Sequence, residues 1–205
     1  MTVRRSVHRF SSALLAILLL AGIAAAGQRI DYVTEEEEDL IRDAQGLQLR
    51  VPAFLKLLDN RIVALGLRER TSKEREQTKK DIADYEREKK EAAKVPDALL
   101  RAKPLNPDIY LRDATRSELL RGYMQIIDET MDNIEDGFDQ NLDVRGYVES
   151  LEKFVAEQLP RLRKLEVKMP AETSALKAAI AHSEQVIEEI HSALKSLPKT
   201  ERKNR

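Results

Sequence analysis

Apolar positions recur along this chain at intervals of three and four residues, the period of a helix that buries one face. Thr34 opens the first such run. It stands three residues before Glu37, a capping-box pair, and Leu40, Ile41, Ala44 and Leu47 follow at helical spacing. Gly46 weakens this helix and Pro52 cannot donate into a continuing one, so a break or kink is predicted near Gly46 to Val51. Pro52 suits the first turn of the next helix. That helix carries Phe54, Leu57, Leu58, Ile62 and Leu65 on one face and is expected to run to about Arg70.

The pattern changes at Thr71. From Thr71 to Lys94 the chain is mostly Lys, Arg, Glu and Asp, and Ile82 and Tyr85 are its only large apolar residues. Such a segment can be helical but has little to bury, so an exposed, fraying helix is predicted. Pro96, Pro104 and Pro107 make 95–113 read as an irregular connection.

The second half is more regular. Thr115 and Glu118 form another capping box, and Leu120, Tyr123, Met124, Ile127, Met131, Ile134 and Phe138 make one apolar stripe. A further helix is expected from near Asp143, its N-cap, with Val144, Tyr147, Val148, Leu151, Phe154, Val155, Leu159, Leu162 and Leu165 inward and a kink at Pro160. Pro170 opens the last helix. Its seam is read as Leu176, Ile180, Ser183, Ile187, Ile190, Leu194 and Leu197, and Pro198 stops it. Each stripe is apolar on one side only, so each helix needs the others. The predicted fold is all-α: an up-and-down antiparallel helical bundle with a kinked N-terminal helical pair and an exposed charged helical insertion.

The N-terminal end changes the expected compartment. Arg4, Arg5, His8 and Arg9 precede an uncharged run from Phe10 to Ala26 that closes on Ala24-Ala25-Ala26-Gly27. A cationic start, an apolar middle and a small-residue end make a secretory signal peptide. A spanning anchor needs about 20 apolar residues, and this run is shorter and holds Ser11 and Ser12. Export to the periplasm or the extracellular space is therefore expected, with membrane contact only through this segment if it stays uncleaved. The domain reading is 1–27 signal peptide, 28–198 one helical-bundle domain containing a charged insertion and Pro-rich connection at 71–113, and 199–205 a disordered tail.

Cysteine is absent, which excludes disulfides, a lipidated Cys, thiolate metal sites and c-type haem attachment. Basic and acidic residues number 35 and 36, and removal of the leader takes Arg4, Arg5 and Arg9, leaving a mildly acidic chain. A nucleic-acid binder needs a net basic surface to displace counterions, so no nucleic-acid partner is expected.

Candidate chemistry is sparse. His182 and His191 are the only histidines beyond the leader, and nine residues along one helix turn them about half a circle apart. They cannot act jointly on one substrate. Glu188-x-x-His191 occurs once, where a di-iron bundle needs two such motifs. The methionines that could join His191 on a haem, Met124, Met131 and Met169, lie in or beside apolar stripes, where methionine usually fills gaps. The nearest approach to a metal site is the window without a basic residue between Arg121 and Arg145, with Asp132, Asp136, Asp139, Asn141 and Asp143. Asp139-x-Asn141-x-Asp143 copies the first ligands of a calcium loop, but Val144 replaces its turn glycine and Ser150 its bidentate Glu. The acidic run Glu35 to Asp39 is accounted for by the helix dipole. No catalytic residue and no cofactor is assigned. The expected function is that of an exported, non-enzymatic interaction or structural protein of the cell envelope. It would act on an unidentified protein partner or by self-association. The alternative is a divalent-cation- or ligand-binding bundle.

Overall fold

Three Thr-x-x-Glu pairs start three of the helices. In each, the Thr hydroxyl accepts the Glu backbone N–H and the Glu carboxylate accepts the Thr backbone N–H: Thr34 with Glu37, Thr71 with Glu74, and Thr115 with Glu118. The computed structural model describes residues 33–92, 94 and 106–197, with the backbone alone at Glu35 and Ala92, and all of these fall in the unit Tyr32–Arg205. Residues 1–27, 95–105 and 199–205 lie outside the described residues, and with them the signal-peptide and disorder expectations.

The described helices are α1 Glu35–Asp43, α2 Leu47–Ala64, α3 Ser72–Ala92, α4 Pro107–Tyr110, α5 Arg116–Asp139, α6 Arg145–Leu162 and α7 Pro170–Ser196, and no strand occurs among the described residues. The protein is an all-α helical bundle, as the periodicity predicts. α2 packs on α5, α5 on α7, and α7 on α6, while α6 meets α5 and α2 less extensively. Arg116 at the start of α5 donates to the Glu166 carbonyl just past α6, and Arg145 at the start of α6 donates to carbonyls at the end of α7. The chain therefore runs up and down, and α7 lies beside α5 in the same direction.

Several boundaries differ from the sequence reading. α2 begins at Leu47, directly after Gly46 at φ +81°, so Pro52 sits inside the helix rather than in its first turn. Pro52 and Gln48 are both exposed, so water can satisfy the Gln48 carbonyl that Pro52 leaves unpaired. α2 stops at Ala64, short of Arg70. Gly66 at φ +76° turns the chain, and Gly66 and Leu67 donate back to the Val63 and Ile62 carbonyls. Part of the stretch expected to be irregular is helical: the Asn106 side chain accepts the Asp108 N–H and Pro107 sits at the start of α4. α6 begins at Arg145 with Val144, not Asp143, at the cap position, though the Asp143 carboxylate still accepts the Arg145 N–H at 3.3 Å. Pro160 lies in the last turn of α6, which ends at Leu162.

The core holds Phe54, Leu57, Leu58 and Ile62 of α2, Leu120, Tyr123, Ile126 and Ile127 of α5, Leu151 and Val155 of α6, and Ile190 of α7. α5 buries two sides, not one. Ser117, Leu119, Gly122, Ile126, Thr130 and Gly137 are also buried, because α2 covers one flank and α7 another. In α7 the buried line is Leu176, Ala179, Ser183, Val186 and Ile190, and Ile180 and Ile187 are flanks of it. A helix between two partners buries a wider arc than a single seam.

Among the described side chains of α3 none is buried, as its composition predicts. It is tied down by polar contacts. Arg68 donates to Asp59 of α2 and to Glu74 of α3, and Asn106 donates to Asp81. The Arg68 guanidinium and then the Thr71 N–H hold the Glu74 carboxyl down at about 2.

Candidate functional site: an apolar face at the end of the bundle

The end of α5 explains how apolar side chains come to lie at the surface. Asn141 adopts φ +59°, Asn141 N–H bonds the Phe138 carbonyl at 2.8 Å, and Leu142 N–H bonds the Gly137 carbonyl at 3.0 Å. This is a Schellman ending, in which the last apolar residue normally packs on the position five before it. Here that position is Gly137. Leu47 packs over it: a Cβ there would stand 2.6 Å from Leu47 Cδ2 and 3.3 Å from Val144 Cγ1, so a larger residue would have to push the Leu47 side chain aside. Leu142 has no side chain to rest on at that position and stays 48% exposed, and Phe138 is 52% exposed. Phe138, expected to complete the α5 stripe, is thus turned out at its end.

Two adjoining clefts share Phe138, Val144 and Leu197. One, of about 520 Å³, also takes in Leu142, Asp139 and Asp143. The other, of about 340 Å³, runs between α5 and α7 over Met131, Ile134 and Ala193 and meets Glu135 and Glu189. Arg145 is the only cation among the described residues lining them. Its guanidinium donates to Glu149 at 2.9 Å and to the Leu194 and Leu197 carbonyls at 3.3 and 3.2 Å. It caps the negative end of α7. The face is therefore an apolar floor rimmed by the carboxylates of Glu135, Asp139, Asp143 and Glu189.

Asp132, Asp136, Asp139, Asn141 and Asp143 are all exposed. Among the described residues no three His, Cys, Asp or Glu side chains converge as metal ligands. Slight desolvation at the helix surface, and then the charges of Glu129, Asp128 and Asp136, raise the Asp132 carboxyl above its ordinary value.

The two histidines point to different neighbours, as their half-circle separation requires. His182 Nε2 lies 3.0 Å from Asp128 Oδ1 of α5, near enough for ion pairing but off the line of a hydrogen bond. His191 Nε2 meets Glu152 Oε1 of α6 at 2.6 Å. They stitch α7 to α5 and α6.

Sequence reasoning missed one buried site. Glu37 is wholly buried and takes a two-pronged contact from Arg61, with Arg61 Nη2 to Glu37 Oε2 at 2.6 Å and Nη1 closing on Oε1. Beside it Asn60 donates to the Tyr110 hydroxyl at 3.3 Å, and burial pushes that phenol well above its ordinary value. The pair fixes α1 to α2. The helix dipole does not account for Glu37, because its carboxylate faces a guanidinium 24 residues away rather than solvent. The burial of both Arg61 and Val51 within α2 was not legible from a helical period alone.

Compared with protein-family models, with curated proteins and with solved structures, the chain matches none.

Proposed function

We propose that this protein is a non-enzymatic contact protein of the cell envelope, an exported bundle whose working surface is the end face around Phe138 and Leu142. The observation that carries this reading is that pair of large apolar side chains, 52% and 48% exposed, on a hydrogen-bonded helix end. Single exposed apolar residues are ordinary, whereas a contiguous apolar patch inside a polar rim marks a contact site. The helix ending holds the patch in place, so a partner would not have to order it first. Export is inferred from the leader sequence.

The test is positional. Benzoylphenylalanine placed at Phe138 or Leu142 should give a discrete adduct on irradiation of the producing cells. The same group at Met169, 58% exposed at the opposite end of α7, should not. Equal labelling from the two ends, or labelling from Met169 alone, would remove the end face as the working surface. The exported form should begin at Gly27 or Gln28 by mass spectrometry. A chain that keeps Met1 to Ala26 would be anchored instead.

A further inference from the structure

Resting on the contact reading above, we infer that the occupant of the end face is a cationic amphipathic helix of a partner protein, its apolar side on Phe138, Leu142 and Leu197 and its lysines or arginines against the carboxylate rim. Shape and charge both point that way. The two clefts adjoin through shared residues, so they form one continuous apolar surface rather than an isolated socket. Such a surface suits a helix that presents apolar anchors every three to four residues. No strand edge occurs among the described residues to take an extended peptide.

The rim decides the sign of the partner. Glu135, Asp139, Asp143 and Glu189 line the clefts, and Arg145 is engaged by Glu149 and by the end of α7. No basic residue lies between Arg121 and Arg145 along α5 and its loop. A second copy docked face to face would set like charges against one another, which disfavours pairing. Anionic lipid and nucleic acid meet the same repulsion. A cationic helix relieves it and covers the apolar floor.

The experiment uses the chain as purified from its producing cells and three labelled peptides about 18 residues long, or about five helical turns. One is an amphipathic Leu/Lys helix, one the same pattern with Glu for Lys, and one the Leu/Lys composition scrambled so that no apolar face forms. Fluorescence anisotropy should show the amphipathic Leu/Lys peptide binding at least about tenfold more tightly than either control. Phe138→Ser with Leu142→Ser should weaken it by about tenfold or more. Glu135→Gln with Asp139→Asn and Glu189→Gln should weaken it and reduce its salt dependence. Unchanged melting curves would establish that both variants remain folded.

Equal binding of the Leu/Lys and Leu/Glu helices, both lost in the Phe138 and Leu142 variant, would overturn the cationic partner while leaving the contact face standing. Leu/Lys binding that ignores that variant would overturn the site. A dimer of the chain alone, or capture on phosphatidylcholine vesicles, that is abolished by the same variant would assign the face to a second copy or to a membrane, and either result overturns the inference.

Discussion

Replacing Glu37 by methionine should destabilise the bundle far more than its place in an N-terminal capping box suggests. The carboxylate is 0% exposed and the Arg61 side chain opposite it 3%, so neither charge reaches water. Glu37 also accepts the Thr34 N–H at 3.1 Å. Glu37→Met leaves a guanidinium in the dry interior opposite a thioether, and breaking a buried pair in this way costs about 3–5 kcal/mol. Thr34→Ala removes only the cap and should cost about 1 kcal/mol. Arg61→Met should match Glu37→Met. The double variant should return to within about 1–2 kcal/mol of the parent, because apolar residues of similar volume replace a buried pair at little net cost. Urea unfolding followed by far-ultraviolet circular dichroism gives all four corners of the cycle. A Glu37→Met loss no larger than that of Thr34→Ala, with no coupling to Arg61, would refute the argument. It would mean that the start of α1 is hydrated in solution.

Three further outcomes follow from the packing. Ile127→Ala and Ile190→Ala, both 0% exposed, should each cost about 2–5 kcal/mol in chemical denaturation, and Ile187→Ala should cost less than half as much because it flanks the buried line of α7. Equal losses at Ile187 and Ile190 would contradict that placement. Asp128, with help from the Met124 backbone, raises His182 above its ordinary value of 6.5. A basic group raised on folding stabilises fully below its unfolded pKa and loses that contribution as pH rises through the folded value. Stability should therefore fall as pH climbs from about 6.5, and Asp128→Asn should remove that slope; an unchanged profile in the variant would rule the pair out. Trypsin should cut first within α3, and a Gly/Ser replacement of residues 75–92 should shift stability by about 1–2 kcal/mol, since Ile82 and Tyr85 are only half-buried. If Ile82→Ala with Tyr85→Ala unfolds the bundle, α3 is a fourth wall of the core instead.

What the sequence by itself determined is what forms within three or four residues along the chain. Thr34 with Glu37 and Thr115 with Glu118 start their helices as read, and the face Phe54, Leu57, Leu58, Ile62 and Leu65 is buried as read. Thr71 with Glu74 and Asn106 before Pro107 carried equally local signals, hidden by a charged and proline-rich context. Tertiary structure alone decided the rest. A period of three and four residues says that a helix buries a face but not how many neighbours cover it, so α5 and α7 bury wider arcs than their stripes predict. Phe138 belongs to the α5 stripe by spacing, and only the docking of Leu47 on Gly137 and the Schellman turn leave it and Leu142 at the surface. Glu37 reads as one carboxylate in an acidic run until α1 folds back on α2. Then Arg61, 24 residues on, lies against it, because an ion pair between helices depends on how they dock and leaves no mark in the spacing of either one.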